Sequence, residues 1–110
     1  MQAATEDFFK KNEKFHNGTK HYFFGNSDEI AQLMINKLNE KFPNMKIAGY
    51  LCPEFMSADD LVRKYKEELK NINTDIIWVS LGFPKQELFI ETLCNEIDTP
   101  INFVGVGAVF

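Results

Sequence analysis

The chain has 110 residues, a length typical of one small domain. With 45% hydrophobic residues and 11 Phe it can bury a core, which argues against intrinsic disorder. The net charge of −4, with Lys, Glu and Asp mixed near the amino terminus, argues against a basic nucleic-acid-binding arm. Cys52 and Cys94 lack metal-ligand spacing, and no apolar run is long enough to span a bilayer. We therefore expect a soluble, intracellular protein with reduced thiols.

Helical and strand patterns alternate along the chain. The predicted helices cover residues 2–15, 28–42, 84–97 and a stretch capped by Ser57, and the predicted strands cover 20–24, 45–48, 75–80 and a last segment from Pro100. Apolar residues at helical spacing should face a sheet: Ile30, Leu33, Met34 and Leu38, then Leu61, Val62, Tyr65 and Leu69, then Phe89 and Leu93. This order predicts a single α/β domain with a Rossmann-like open parallel sheet of about four strands and helices on both faces.

The stretch TDIIWVSLGFPKQELFI carries the strongest functional signal. A buried strand runs into Gly82, Pro84, Lys85 and Gln86 at the start of a helix, where open α/β sheets bind ligands. Gln86 offers a donor and an acceptor, and Lys85 could neutralise a phosphate. A solvated surface role remains open for Lys85, and the helix dipole alone favours Glu87 in the first turn.

Two further loops should gather at the same edge of the sheet. Gly25, Asn26 and Ser27 form either a simple turn with an N-cap or a contact to phosphate or sugar through backbone amides. The loop predicted over 49–56 carries Tyr50 and Phe55, which serve either as a structural lid or as a platform for a flat base.

The last predicted strand contains Gly105, Val106 and Gly107. A GxG is a weak signal, and Phe110 stands where the third glycine of the dinucleotide fingerprint would be, so a dinucleotide cofactor is disfavoured. We expect His16 and His21 to lie far from these loops, and no nucleophile–base pair can be assembled from the chain.

In order, these loops resemble the WecG/TagA/CpsF glycosyltransferases. The matching blocks are HYFFGNSDEIAQLMINKLNEKFPNMKIAGYLCPEF, NINTDIIWVSLGFPKQELFI and INFVGVGAVF. The P-K-Q-E block after a strand is the most specific of the three. The resemblance runs from about Asn17 to Phe110.

The resemblance implies a metal-independent transfer, without cofactor, of an N-acetylmannosamine-type sugar from a UDP donor. The implied acceptor is a polyprenyl-diphosphate-linked amino sugar at the inner face of the cell membrane, in teichoic acid or other cell-surface polysaccharide synthesis. By position it implies a catalytic role for Gln86 at the sugar–diphosphate end of the donor pocket. Gly105, Val106 and Gly107 would line the nucleotide, with Phe55 beside the base.

The chain also departs from the family pattern in two respects. The family's amino-terminal region, with the Asp proposed as general base, has no counterpart here, and Glu54 replaces a residue that is often aromatic or Pro. We therefore expect an internal portion of the enzyme with little turnover of its own, and the bare last strand would favour self-association. A non-catalytic nucleotide-binding module and a purely assembling segment remain alternatives.

Overall fold

A computed structural model of the protein describes residues 19–82 and 84–106. The predicted helix over 2–15, Gly107 and the residues after it lie outside the described residues. The strands are β1 Lys20–Gly25, β2 Lys46–Leu51, β3 Ile76–Ser80 and β4 Asn102–Gly105. The helices are α1 Asp28–Lys41, α2 Ala58–Lys70 and α3 Lys85–Glu96.

All four strands pair in parallel in the order β2-β1-β3-β4. The central strand β3 is buried at every residue, which suits a strand covered on both faces. Its side chains alternate: Trp78 packs with Met34 and Leu38 of α1, whereas Val79 packs with residues of α2 and α3. The predicted α/β sheet with helices on both faces is therefore confirmed.

The helix ends follow from local side-chain hydrogen bonds. Ser27 caps α1 by accepting a hydrogen bond from the Ile30 amide, and Ser57 caps α2 by accepting one from the Asp60 amide. The predicted inward residues of α2 are confirmed as buried: Leu61, Val62, Tyr65 and Leu69. Phe89 and Leu93 are buried in α3, as predicted.

The apolar stripe predicted for α1 is partly wrong. Met34 and Leu38 are buried, but Ile30 is 41% exposed and Leu33 is 57% exposed. Ala31 takes the inward place in the first turns. It lies three residues before Met34 and seven before Leu38, which puts all three on one face of the helix.

The second strand is longer than predicted. The sequence prediction ended it at Ala48 and placed Gly49 and Tyr50 in a loop, whereas both residues pair with β1. A register shift opposite His21 and Tyr22 absorbs one extra residue, so that pairing continues to Leu51. Local propensity at a glycine favours a break, and the neighbouring strand overrides it.

His21 has a structural environment. It lies fully buried in β1, and its Nδ1 accepts a hydrogen bond of 3.0 Å from Nε1 of Trp78 in β3. The two rings stack with centroids 6.1 Å apart. The pair helps to join the two central strands at a distance from the loops at their carboxyl ends.

Candidate functional site: a crevice at the carboxyl ends of β1 and β3

The strand order reverses at β1. The chain passes from β1 to β2 on one side and then returns to place β3 on the other side. The loops that leave β1 and β3 therefore diverge to opposite faces of the sheet and leave a crevice between them. In open α/β sheets this crevice is the position at which ligands bind.

The turn after β1 lies directly against the end of β3. Gly25 has φ +122°, and a Cβ added to it would lie 2.0 Å from the carbonyl oxygen of Ser80. The Asn26 amide donates to that same oxygen at 3.2 Å, and Ser80 Oγ donates to Asn26 Oδ1 at 3.3 Å. Asn26 itself has φ 59°. The two turns are thus fixed to each other, and only glycine fits at position 25.

The crevice has a volume of about 420 Å³. It is lined by Asn26, Ser27, Pro53, Glu54, Phe55, Leu61, Ser80, Leu81 and Lys85. Three of the predicted site residues, Asn26, Phe55 and Lys85, therefore meet in one place. Lys85 Nζ lies 4.4 Å from the centre of the Phe55 ring, a cation–π distance that holds the ammonium at the rim.

The loop between β2 and α2 forms one wall of the crevice. The Glu54 amide donates to the hydroxyl of Tyr65 at 3.3 Å, and the Glu54 carboxylate forms an ion pair with Lys64. The hydrogen bond from Lys64 lowers the pKa of Glu54, and the lysine charge adds to the effect. Lys85 is the one cationic side chain among the described residues that line the crevice. None of the ion pairs formed between described residues includes it.

Gln86 occupies a different position from its neighbour Lys85. Its side chain is 1% exposed, and its Oε1 accepts from the amides of Leu81 at 3.3 Å and Gly82 at 3.1 Å. On its other side, a Cβ added to Gly105 would lie 2.9 Å from Gln86 Nε2. The side chain therefore ties the turn after β3 and lies against Gly105 at the end of β4.

Beside Gln86 lies a notch of about 330 Å³, lined by Gln86, Glu87, Ile90, Glu91 and Gly105. The structure thus divides the predicted site residues between two openings, the crevice with Lys85 and the notch with Gln86. Val106 is the next residue after Gly105 in the chain. Its amide donates to the Val79 carbonyl at 3.0 Å, and its side chain packs against the α1 face of the sheet.

A third opening adjoins the crevice. This apolar groove of about 570 Å³ is lined by Phe55, Met56, Ser57, Ala58, Pro84, Lys85 and Leu88. Phe55 is 98% exposed and Leu88 is 54% exposed. Sequence reasoning missed Leu88, although an apolar residue beside the buried stripe of Phe89 and Leu93 is a signal that could have pointed to it.

Tyr50 lies apart from these openings. Its hydroxyl donates to Asp28 Oδ1 at 2.6 Å, and Gln32 Nε2 donates to Asp28 Oδ2 at 2.8 Å. The hydrogen bond to Asp28 raises the pKa of Tyr50. This network fastens the end of β2 to the first turn of α1.

In residues 19–82 and 84–106, no group of three or more His, Cys, Asp or Glu side chains is arranged to hold a metal ion. Every helix in this part of the chain falls short of the length and apolar character that crossing a membrane requires. The fold and the crevice define an α/β domain with an opening at the point where its strand order reverses, and the cationic side chain of Lys85 lines that opening.

Comparison with known proteins identifies the family. The profile of the Glycosyl transferase WecG/TagA/CpsF family matches residues 4–110, and the chain belongs to that family. It is 28% identical over 89 residues to the N-acetylglucosaminyldiphosphoundecaprenol N-acetyl-beta-D-mannosaminyltransferase of Bacillus subtilis (strain 168), covering 81% of this chain and 33% of the relative. It is 32% identical over 94 residues to the enzyme of the same name from Staphylococcus aureus (strain NCTC 8325 / PS 47), covering 83% and 34%. The chain spans about a third of the length of these curated relatives.

Proposed function

We propose that the chain is the part of a glycosyltransferase that binds a UDP-activated N-acetylmannosamine-type sugar for transfer to a lipid-linked amino sugar. Membership of the family and the names of the relatives support the transfer and its lipid-diphosphate acceptor. The observation that carries the donor assignment is the crevice in which Asn26, Phe55 and Lys85 meet at the strand-order reversal.

The charges of the crevice support a diphosphate as its ligand. The Lys85 ammonium lies at the rim, and α1, whose first turn carries Asp28 and Glu29, begins at Ser27 in the lining of the same crevice. Asn26 and Ser80 add polar atoms next to that position. The exposed ring of Phe55, beside Lys85, suits stacking with a uracil base.

The proposed transfer places its largest charge change on the diphosphate. A hydroxyl of the acceptor sugar forms a new C–O bond to the anomeric carbon of the donor, and that carbon's bond to the UDP oxygen breaks. UDP leaves with the bonding electron pair, and the hydroxyl proton passes to a base. Lys85 would stabilise the charge that grows on the leaving diphosphate.

Gln86 would lie at the sugar–diphosphate end of the bound donor, with Gly82, Pro84 and Gly105 shaping its surroundings. Its carboxamide fixes the Leu81–Gly82 turn, which lies between the crevice and the notch. The donor's sugar would lie against this turn while the diphosphate stays near Lys85, so that the buried Gln86 acts on the sugar through the turn that it holds. Gln86→Ala should therefore weaken binding of the UDP-sugar more than binding of uridine, and equal losses would count against this role.

Titration calorimetry of the 110-residue chain tests the proposal. UDP should release heat with saturation at one site per chain, uridine should bind more weakly, and inorganic phosphate should bind weakest. A non-catalytic module would bind UDP as well, but a segment that serves only assembly would bind none of the three. Absence of UDP binding to folded protein would reject the donor assignment. For the complete protein we propose a peripheral position at the inner face of the membrane, where a lipid-linked acceptor is found.

A further inference from the structure

We propose that the carboxylate of Glu54 binds the ribose of the nucleotide donor by accepting hydrogen bonds from its 2′ and 3′ hydroxyl groups. This inference rests on the proposed function and adds the residue that selects a ribonucleotide over a deoxyribonucleotide. It depends on Glu54 and on the two residues of α2 that hold it, Lys64 and Tyr65.

The place of Glu54 in the fold favours contact with a ribose. Strand β2 ends at Leu51 beside β1, and Glu54 follows three residues later in the lining of the crevice. Asn26 and Ser27, from the turn after β1, line the same crevice. In nucleotide-binding βαβ units, an acidic side chain that follows the first turn and its helix accepts hydrogen bonds from ribose hydroxyls. Glu54 therefore lies where such a unit binds a ribose.

Two adjacent residues of α2 hold Glu54 in position. The hydroxyl of the buried Tyr65 accepts a hydrogen bond from the Glu54 amide at 3.3 Å, and Lys64 forms an ion pair with Oε1 of the carboxylate. Among the described residues Lys64 is the one partner of that carboxylate, so Oε2 remains available as an acceptor. The Glu54 side chain is 72% exposed, and a ligand in the crevice can therefore reach it.

The charge state of Glu54 suits a hydroxyl group as its partner. The hydrogen bond from Lys64, together with the lysine charge, lowers the pKa of Glu54, so the carboxylate is ionised at neutral pH. An ionised carboxylate only accepts hydrogen bonds, and its bonds to hydroxyl donors are stronger than those between neutral groups. It repels a phosphate, and its lowered pKa makes it a weak base toward the acceptor hydroxyl. The uncharged, donor-bearing part of UDP is the ribose.

The transferred sugar also carries hydroxyl groups, but it lies farther from Glu54 along the donor. Glu54 directly precedes Phe55, on which the proposed function places the base. The ribose is bonded to that base, whereas the transferred sugar lies beyond the diphosphate. The order of the groups in the donor thus places the ribose nearer to Glu54.

Titration calorimetry of the 110-residue chain with UDP and 2′-deoxy-UDP tests the inference. The two ligands carry the same base and the same diphosphate, so the ratio of their affinities isolates the contribution of the 2′ hydroxyl. We expect 2′-deoxy-UDP to bind about tenfold more weakly than UDP, a difference of about 1.4 kcal/mol. Glu54→Ala should bring the two affinities within about twofold of each other.

Glu96 provides a matched control for Glu54. Each carboxylate pairs with a lysine of α2, Glu54 with Lys64 and Glu96 with Lys66, but of the two glutamates only Glu54 lines the crevice. Glu96→Ala should leave the ratio of the two affinities unchanged. The side chains are 72% and 41% exposed, so neither substitution threatens the fold, and circular dichroism would verify this.

Several results would overturn the inference. Equal affinities for UDP and 2′-deoxy-UDP in the unmutated chain would show that the ribose is not recognised, and a ratio that survives Glu54→Ala would assign recognition to another residue. A ratio lost in Glu96→Ala as well would point to overall charge.

The same titrations separate the ribose from the other candidates. If Glu54→Ala weakened UDP-N-acetylmannosamine and spared UDP, the carboxylate would serve the transferred sugar instead. UDP binding without preference over 2′-deoxy-UDP would reject this inference alone, whereas absence of UDP binding to the folded chain would reject the proposed donor site with it.

Discussion

The crevice and the notch lie on either side of the carboxyl end of β3, and they differ in charge and in how closely the nearby glycines approach other atoms. Lys85 faces the crevice, where Lys64 neutralises Glu54. The notch instead carries Glu87 and Glu91, and no ion pair in the described residues neutralises either of them. Adjacent residues in one helix thus serve two openings of opposite character, and only the crevice suits an anion.

The two openings also differ in how closely their glycines approach other atoms. Gly25→Ala would place a Cβ 2.0 Å from the backbone oxygen of Ser80 at a residue with φ +122°. Backbone strain and overpacking together should lower the free energy of unfolding by about 3–5 kcal/mol. Urea denaturation followed by circular dichroism would measure this loss.

Gly105→Ala is the matched change at the notch. Its Cβ would lie 2.9 Å from Nε2 of Gln86, a side-chain atom that can move aside, so the expected loss is about 1–2 kcal/mol. Similar losses for the two variants would contradict the view that the crevice is the more rigidly built opening.

The sequence predicted most of the fold because its apolar patterns match the elements. The buried faces of α2 and α3 and the all-buried strand β3 could be read from spacing alone. Ile30 and Leu33 were assigned wrongly, since the spacing of α1 allows two apolar stripes and only packing selects Ala31, Met34 and Leu38. The length of β2 also depends on its partner strand rather than on its own residues.

The candidate site was predictable as a set of loops but not as a set of contacts. Parallel strands bring their carboxyl ends to one edge, which is how Asn26 and Lys85 could be placed near each other in advance. The division between Lys85 and Gln86 could not be foreseen, because it depends on the direction in which each side chain leaves the first turn of α3. The apolar groove depends in the same way on the conformation of the loop before α2.

Gln86→Met tests whether the carboxamide beside the notch holds the turn after β3. The change keeps the volume of the side chain but removes the oxygen that accepts from the Leu81 and Gly82 amides. The loss should be about 2–3 kcal/mol, because both amides then lack this acceptor. Glu87→Gln, at the exposed neighbour, should stay within about 0.5 kcal/mol. A thermal denaturation series in which both variants melt alike would show that Gln86 does not hold the turn.

Lys85→Gln tests the charge of the crevice. It should weaken UDP binding about tenfold in titration calorimetry, which corresponds to about 1.4 kcal/mol, and the difference should shrink as salt rises. Lys46→Gln removes an equal charge from the start of β2, at the opposite end of the sheet, and should leave the affinity within twofold. Equal losses from both changes would point to overall charge rather than to the crevice.

The smallest expected effect concerns the Glu54–Lys64 ion pair at the crevice wall. In a carboxyl-detected NMR titration the pKa of Glu54 should lie below its ordinary value of about 4.3, and Lys64→Gln should raise it. Because the folded-state pKa is lowered, the pair contributes its stability at neutral pH and loses it as the pH falls through that lowered pKa.

At neutral pH, Lys64→Gln should also weaken UDP binding about twofold, since the Glu54 carboxylate is no longer offset. Lys66→Gln breaks the Lys66–Glu96 pair, whose atoms are 3.0 Å apart and which lies outside the crevice lining, and serves as the control. A Glu54 that titrates normally in the unmutated chain would mean that the crevice and the notch differ less in charge than their contacts indicate.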